Sequence, residues 1–543
     1  MFKNSIFSSL IVFLLTILPS QGFSEASPTK ITYSFSLKEK SDNKLVVTCE
    51  FLGNESGTTE LILPHQWANQ SELYKNIEEL SCLQYEIQDT DQPHIKNILH
   101  KSEELITISY SIKLLSEDTC HENYFCPIGD HTHFYAIGHC IFIIPTKQDV
   151  KMHIYLEWKD LPPGWEIANS FGVKQVSQQL ILSPSDLQST AFMGGDFQVI
   201  ECKNSSNPIY IAIRGKWPFS SKEFANVVEK VVDSQRHFWD DYEFPFYLIS
   251  VIPIDDKNTT GGTALTDTFS LFLGNINFSK NEYLQHLAWL VSHEHFHTWN
   301  GRKIQSSEPE GSMYWFSEGF TEYYAVKLNH NYGVMTKDKY IDHINEILVD
   351  YYLSPAHQVP NETIVEEFWT NPDIGRLPYV RGFTLALYLD AKIQLQGLSL
   401  DHFMHDLLDF TKQNNQEYSS DDFFQLLAKY IDQDEIATVK SFIFEGVTIP
   451  VPKASLVPGY ALTEEDYIGF DLHRSLSKGI IQGVKRESIP FKAGLTNGSK
   501  LLDFNKEGTV VTLSIIVSDD CEQKMVSYDV MEIKDIPQYT KSN

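Results

Sequence analysis

The spacing of hydrophobic and polar residues predicts strands in the first third of the chain. Between residues 30 and 198 the two classes alternate in short runs such as ITYSFSL, KLVVTCEF, ELITISYSIKL and VKMHIYLEW, and Asn, Gly, Asp and Pro separate the runs. An alternation of period two is typical of strands that bury one face. We therefore predict an N-terminal β-sandwich-like domain over residues 27–198.

The pattern changes after residue 198. PIYIAIRG predicts a strand, residues 221 to about 241 an amphipathic helix, FPFYLISVIPI a buried strand, and residues 261–273 one further strand. From residue 337 to 444 the apolar residues recur at helical spacing. Residues 199–449 are thus predicted to form a second domain with an α/β half and a helical half.

The two ends of the chain carry different signals. In residues 1–26, Lys3 precedes an apolar run over residues 6–18, followed by Pro19 and small residues. This order is typical of a secretory signal peptide, and the run is short for a membrane span, although an uncleaved anchor is the alternative. We expect an exported protein, periplasmic or secreted, with no stable membrane span after signal cleavage.

The C-terminal residues follow a linker predicted at 450–458, PVPKASLVP. Residues 459–543 contain YIGFDL and SIPFKAGLTNGSKLLDF, which resemble segments of a PDZ domain. In that resemblance residues 468–470 match the carboxylate-binding loop. The resemblance implies a PDZ-like fold and leaves open whether this domain binds peptide.

Charge and composition exclude some partners. The 543 residues include 72 acidic and 43 basic side chains, for a formal net charge of -29. Such a surface repels nucleic acid, which is excluded as a partner. A content of 42% hydrophobic and 13% aromatic residues indicates a folded protein of several domains.

The sequence HEHFH provides a candidate metal site. His293 and His297 are four residues apart and therefore share one face of a helix, where both can bind one zinc ion. A catalytic zinc takes three protein ligands and a water, and Glu318 in WFSEGFTEYY is the predicted third ligand. Glu294 follows the first ligand and can take a proton from that water. We expect one zinc ion per chain.

The helix that carries the histidines has marked ends. Ser279 and Glu282 form a capping box, and Asn300-Gly301 predicts the end of the helix. Asn300 and Glu322 could each accept the second ring N–H of a ligand histidine, or they could be polar groups on a helix surface.

HEHFHTWN and WFSEGFTEYY together resemble the gluzincin zinc peptidases, and more closely the glycyl aminopeptidase family. That family pairs a β-rich N-terminal domain with a thermolysin-like catalytic domain and a C-terminal PDZ domain. In LPYVRGFTLALYLDAKI the resemblance implies that Tyr379 donates to the oxyanion, and Arg381 matches a position usually occupied by lysine or arginine. The expected fold is multidomain α+β.

The strand after Gly261 and Gly262 departs from the family pattern. In gluzincins it is an edge strand that binds the substrate backbone, and the two glycines would let that backbone come close. Glycyl aminopeptidases carry a glutamate soon after the glycines, where this chain has Thr263 and Ala264. Asp267 is the nearest acid, and it either substitutes for the glutamate or is a turn residue.

The function expected from these residues is that of a zinc metallopeptidase acting on peptides or proteins. The expected enzyme is an aminopeptidase or a relative with altered specificity. The altered specificity could be that of an endopeptidase. The alternative is a catalytically inactive protein that binds peptides on a peptidase scaffold. The oligomeric state does not follow from the sequence.

Overall fold

The structure is a computed structural model that describes most of the chain after residue 29. The described residues are 30–37, 43–67, 70–115, 126–146, 150–202, 208–242, 246–254, 260–274, 279–309, 311–414, 417–453, 459–470, 472, 475–476, 479–484, 488–517, 523–530 and 534–541. The signal peptide predicted at residues 1–26 and part of the linker predicted at 450–458 lie outside them.

The N-terminal region is built from strands with few helical turns. Its strands are β1 (Lys30–Leu37), β2 (Lys44–Leu52), β3 (Thr58–Ile62), β4 (Ile77–Cys82), β5 (Ile87–Asp89), β6 (Ile95–Leu99), β7 (Leu105–Lys113), β8 (Ile128–Gly129), β9 (His133–Ile137), β10 (Met152–Lys159), β11 (Glu166–Asn169), β12 (Gly172–Val173), β13 (Ser177–Leu182) and β14 (Ala191–Gly195). Its helices are α1 (Gly138–Ile141), α2 (Pro184–Gln188) and a 3-10 turn at Leu73–Asn76.

These strands form three sheets around one core. The sheets have the orders β13-β10-β1-β2-β7-β4, β12-β11-β14-β9-β8 and β3-β6-β5. In β1 the alternation places Ile31, Tyr33 and Phe35 in the core. Both faces of β9 are buried, because this strand lies between the six-stranded sheet and the second domain.

The second domain begins with another five-stranded sheet, of order β15-β16-β17-β19-β18. Its strands are β15 (Gln198–Cys202), β16 (Ile209–Ile213), β17 (Tyr247–Pro253), β18 (Thr260–Leu265) and β19 (Thr268–Leu273). Leu248 and Ile252 of β17 pack into the N-terminal core, whereas Ile249 and Val251 face the helices on the other side. A strand covered on both faces explains the continuous hydrophobic run in FPFYLISVIPI.

The structure corrects the prediction of one strand over residues 261–273. The segment is a hairpin in which β18 pairs antiparallel with β19, from Thr260 opposite Leu273 to Leu265 opposite Thr268. Asp267 lies in the two-residue turn with a φ of 48°. The positive φ at the second residue of this turn is one that aspartate tolerates. The edge strand is therefore β18.

The helices of the second domain follow this sheet or lie beside it. They are α3 (Ser221–Trp239), α4 (Lys280–Phe296), α5 (Tyr314–Ser317), α6 (Gly319–Asn331), α7 (Lys337–Leu353), α8 (Asn361–Glu367), α9 (Pro372–Gln394), α10 (Leu400–Gln413), α11 (Ser420–Leu427) and α12 (Gln433–Phe444). The short strands β20 (Gln305–Ser306) and β21 (Glu417–Tyr418) pair in parallel.

Helix α4 starts as predicted and ends earlier. The capping box of Ser279 and Glu282 is formed in both directions. The helix ends at Phe296, and His297 is its C-cap, so the predicted end at Asn300-Gly301 is about one turn too late. Gly301 instead adopts a φ of 122° in the following turn.

Helices α6 and α9 cross closely at two glycines. A Cβ added to Gly382 would clash with the carbonyl oxygen of Trp315 and lie 2.7 Å from the Cα of Gly319. Glu318 precedes Gly319, and Tyr379 lies one turn before Gly382. The two glycines therefore set the distance between the elements that carry Glu318 and Tyr379.

We expect Gly382→Ala to lower the free energy of unfolding by about 1–3 kcal/mol, because a methyl group has no room at this crossing. Turnover should fall as well, since the separation of Glu318 and Tyr379 changes. Denaturant unfolding and peptide hydrolysis measure the two effects. Gln394→Ala, at the exposed end of the same helix, is the control and should change neither. If Gly382→Ala were as stable as the wild-type protein, α6 and α9 could not cross as closely as described.

The C-terminal region contains a ribbon and a smaller sheet. Strands β22 (Tyr460–Tyr467) and β26 (Lys534–Lys541) form the ribbon, and β23 (Lys500–Glu507), β24 (Val510–Ile516) and β25 (Gln523–Asp529) form the sheet, with the short helix α13 (Ile489–Lys492) beside them. Tyr460 and Tyr539 of the ribbon pack into the core of the helical half. The PDZ-like fold of residues 459–543 stays a prediction. No helix in the described part of the chain has the length and hydrophobicity of a membrane span.

Candidate metal and active site

Three side chains from two neighbouring elements converge in a cleft of about 430 Å³. His293 lies in the last turn of α4, and His297 caps that helix. Glu318 lies at the junction of α5 and α6. One ligand atom from each of the three residues lies within 4.8 Å of the other two. The structure thus brings together the three residues predicted as metal ligands.

The spacing of the three ligand atoms fits a tetrahedral ion. The Oε2 atom of Glu318 lies 3.3 Å from Nε2 of His293 and 3.5 Å from Nε2 of His297. Two ligands about 2.0–2.1 Å from a tetrahedral zinc are about 3.3–3.4 Å apart. The two separations between Glu318 and the histidines therefore match those between ligands of such an ion, and the third pair of ligand atoms lies within 4.8 Å.

The second ring nitrogen of each histidine has its own acceptor. His293 Nδ1 lies 3.0 Å from Oε2 of Glu322, and His297 Nδ1 lies 3.0 Å from the backbone carbonyl oxygen of Asn300. Donation from Nδ1 leaves the Nε2 lone pair of each ring facing the other ligands. Asn300 acts through its main chain, because its side-chain amide donates to the oxygens of Phe316, Ser317 and Thr321.

Glu322 is a buried carboxylate with three donors. Besides His293 it accepts hydrogen bonds from Trp289 Nε1, at 3.0 and 3.1 Å, and contacts His343 Nε2 at 3.0 Å. Burial alone would raise the pKa of Glu322, but the hydrogen bonds and charges of His293 and His343 lower it. Glu322 therefore remains ionised, and it links the His293 ring to Trp289 of the same helix and to His343 of α7.

We expect Glu322→Gln to weaken zinc binding by about 10–100-fold. The amide NH2 of Gln would face the N–H donors of His293, Trp289 and His343, so the His293 ring would no longer be held as a ligand. Competition with a chelator of known affinity measures the change. Glu366→Gln, an exposed carboxylate on α8, is the matched control. Equal zinc affinities of the two variants would show that Glu322 does not support the ligand.

The electrostatics of the site favour a cation. Burial acts to lower the pKa of His293, but Glu318 and Glu322 outweigh it and raise the pKa to about 10. Burial would raise the pKa of Glu318, whereas the two histidines lower it below its ordinary value. The carboxylates thus attract positive charge to the space between the rings, where a metal ion can take the place of a proton.

Glu294 lies in the same cleft without being one of the three ligands. Burial raises the pKa of its carboxyl group, as do Glu318 and Glu322, against the lowering effect of the two histidines. A raised pKa suits a group that takes up a proton and then releases it. A Cβ at Gly262 would lie 3.4 Å from Glu294 Oε1, so this glycine leaves room for the carboxylate.

Tyr379 stands on the opposite wall, on α9. Its ring stacks on His293 at a centroid distance of 5.9 Å, and its phenol interacts electrostatically with the Glu318 carboxylate. Burial raises the pKa of Tyr379 well above its ordinary value, and the carboxylates of Glu318 and Glu294 add to the rise. The phenol therefore keeps its proton and can serve as a hydrogen-bond donor.

The edge strand β18 forms one side of the cleft. Gly261, Gly262, Thr263 and Ala264 all line it. A Cβ at Gly262 would clash with the ring of Phe269, so this glycine is required for packing within the hairpin as well. Asp267 lies in the hairpin turn and is absent from the described lining of the cleft, which agrees with the turn alternative.

The structure does not support a role of Arg381 at the site. Arg381 is fully buried, and its Nη2 donates to the carbonyl oxygens of His357 and Val359 at 2.9 and 2.6 Å. Two residues along a helix point to opposite sides, so Arg381 faces away from Tyr379. It holds the chain segment between α7 and α8 and is absent from the described lining of the cleft.

Other cleft residues were missed by the sequence analysis. Trp67 comes from the N-terminal domain, Trp369 lies between α8 and α9, and Arg376 lies near the start of α9. Arg376 precedes Tyr379 by three residues, which places the two side chains on one helix face. The spacing of Arg376 and Tyr379 could have predicted that Arg376 reaches the cleft. The position of Trp67 depends on how two domains pack and could not be predicted from residue spacing.

The matched family is one of peptidases. Residues 286–370 match the family model of the M61 glycyl aminopeptidases. The predicted resemblance to the glycyl aminopeptidase family is thereby confirmed over the segment that carries the three ligands. No curated protein matches the sequence significantly.

Two solved structures are similar to this chain to different degrees. An aminopeptidase N family protein from Idiomarina loihiensis has a TM-score of 0.70 at 16% identity, covering 94% of this chain and 98% of that chain. An M1 zinc metallopeptidase from Deinococcus radiodurans has a TM-score of 0.49 at 11% identity, covering 79% of this chain and 96% of that chain. The first similarity shows a mixed α/β multidomain fold of the aminopeptidase N type.

Proposed function

We propose that this protein is a zinc metallopeptidase that hydrolyses peptide bonds in the cleft between β18 and α9. The observation that carries the proposal is the convergence of two imidazoles and one carboxylate, with the carboxylate at the distance from each imidazole that ligands of a tetrahedral zinc have. A zinc ion held there would polarise the scissile carbonyl and lower the pKa of a water molecule to about 7.

The side chains around the ligands supply the remaining steps. Glu294 takes a proton from the attacking water and delivers it to the leaving amine, a transfer that its raised pKa favours. Tyr379 donates a hydrogen bond to the carbonyl oxygen as negative charge develops there. The free backbone groups of β18 bind the peptide in extended form.

The test combines metal analysis with digestion of a peptide library. We expect one zinc per chain, cleavage of peptides by the zinc-loaded protein, and loss of cleavage after chelation with recovery on adding zinc. Mass spectrometry identifies the cleaved bonds. A zinc-loaded protein that binds peptides without cleaving them would favour the inactive peptide-binding alternative.

The specificity for the peptide N-terminus forms part of the same proposal. Among the described residues that line the cleft, the carboxylates are Glu294, Glu318 and Glu322, and all three belong to the metal centre. None of them is available to bind a free α-amine. We therefore propose that N-acetylated peptides are cleaved as well as their free counterparts. A strict requirement for the free amine would instead make the protein an aminopeptidase.

Export is proposed on the sequence of residues 1–26. We expect the mature protein to begin near residue 27, and N-terminal sequencing of protein isolated from its native cells tests this. A mature chain that retains Met1 would contradict signal cleavage.

A further inference from the structure

A second cavity, of about 820 Å³, lies between the C-terminal region and the helical half of the catalytic domain. The helical half contributes the end of α7 and the start of α9, and the C-terminal region contributes β22, α13, β25 and the chain after them. Most of the lining side chains are apolar or neutral. A concave, largely apolar site of this size is typical of ligand binding.

The walls of this second cavity are held in place by specific contacts. Asn345 of α7 exchanges two hydrogen bonds with the backbone of Tyr539, at 2.9 and 2.8 Å, which joins the ribbon to the helical half. Tyr528 donates to the carbonyl oxygen of Ile468 at 2.8 Å. A Cβ at Gly469 would lie 2.7 Å from Pro490, so these two segments of the wall pack directly together. The second cavity is therefore preformed.

Arg376 joins the second cavity to the cleft, because it lines both. Among the described residues that line the two spaces, it carries the one guanidinium or ammonium group. Its guanidinium carbon lies 5.8 Å from the ring centroid of Tyr379. A peptide that leaves the metal site past Tyr379 towards the second cavity must pass this cation.

The charged partner of Arg376 in the protein is held loosely. Nη2 of Arg376 lies 3.5 Å from Oδ2 of Asp350, and the two side chains are 44% and 30% exposed. An ion pair of this length and exposure contributes little to stability. A ligand carboxylate can bind a guanidinium through two parallel hydrogen bonds, which is a stronger contact than the one with Asp350.

We propose that Arg376 binds a carboxylate of the peptide substrate and that the second cavity holds the apolar part of the same peptide. This inference rests on the proposed peptidase function. The carboxylate is either the C-terminus of a short peptide or an Asp or Glu side chain of a longer one. Arg376 stands beside the carboxylates of Asp350 and Asp373 in this lining, and among the described lining residues its guanidinium is the one group that can pair with a peptide carboxylate.

The position of the carboxylate follows from the distances. Arg376 lies 5.8 Å from the Tyr379 ring, whose phenol contacts the scissile carbonyl in the proposed reaction. An extended peptide advances about 3.3 Å per residue, so a separation of this order places the carboxylate a few residues from the scissile bond. A more distant carboxylate should not affect cleavage.

The test compares matched peptides that differ in one carboxylate. One pair has a free C-terminus or a C-terminal amide, and further pairs carry Glu or Gln at successive positions of an amidated peptide. We expect kcat/KM of the wild-type protein to be about 10–100-fold higher for the acid in the responsive pair. Arg376→Gln should bring this acid-to-amide ratio close to one, and the position of the responsive pair distinguishes the two sources of carboxylate.

The ratio is the readout because Arg376 also touches Tyr379, and a disturbed tyrosine would slow both peptides alike. Lys412→Gln, an exposed cation on α10, is the control and should keep the wild-type ratio. A ratio near one in the wild-type protein, or an unchanged ratio in Arg376→Gln, overturns the proposal.

A second measurement tests the carboxylate site even if the protein is not a peptidase. If the zinc-loaded wild-type protein cleaves no peptide, calorimetry measures binding of the same pairs. Tighter binding of the acid that is lost in Arg376→Gln supports the carboxylate site without hydrolysis. Equal binding of acid and amide by the wild-type protein overturns it.

Discussion

Glu294→Gln is expected to lower the turnover of a peptide substrate by about two to four orders of magnitude while zinc remains bound. The amide cannot take a proton from water, and the ligands His293, His297 and Glu318 are unchanged. Because Gln has nearly the same shape, it fits against Gly262 as the carboxylate does. Steady-state hydrolysis together with metal analysis of the purified variant measures the effect.

The control for this variant must separate loss of the base from loss of the metal or the fold. Thermal unfolding and zinc content should equal those of the wild-type protein. Glu366→Gln, which changes an exposed carboxylate outside the cleft, should retain full activity. Parental turnover in Glu294→Gln would mean that another group accepts the proton.

Tyr379→Phe is expected to reduce turnover by about two to three orders of magnitude, because a lost oxyanion donor raises the barrier by about 3–4 kcal/mol. The Phe ring keeps the stacking on His293, so the fold and the zinc affinity should be retained. The loss should lie in kcat more than in KM, since the hydrogen bond strengthens as negative charge develops.

A second tyrosine on α9 provides the matched control for Tyr379→Phe. Tyr388 lies nine residues later on the same helix, and its hydroxyl donates to Glu435 away from the cleft. Tyr388→Phe should therefore leave kcat unchanged. Similar turnover of both variants would show that the Tyr379 hydroxyl takes no part in the reaction.

The local parts of the site could be predicted from the sequence. The spacing of His293 and His297 follows from the helical repeat, and the capping box of Ser279 and Glu282 fixes the start of their helix. Glu318 was identified from the motif around it. These features depend on residues close together in the chain, where backbone geometry decides which side chains meet.

The remaining features depend on geometry that residue types do not encode. Arg381 was chosen by resemblance, but Arg376 has the spacing of three residues that reaches the cleft. Asn300 contributes a main-chain carbonyl, and any residue has one. The hairpin was missed because GGTALTDTFSLFL has no Gly at the turn, and Asp267 adopts the positive φ instead.

The sheet that carries the edge strand β18 is shared by two hydrophobic cores. Ala212, Leu248 and Phe272 on one face belong to the core of the N-terminal domain, whereas Ile211 and Ile249 on the other belong to the helical side. Excising residues 30–195 would leave that first face bare to water, and fragments of this kind aggregate. The N-terminal domain therefore covers a face that the second domain cannot leave exposed, and a fragment that carries the metal site has to retain this domain or replace the apolar surface.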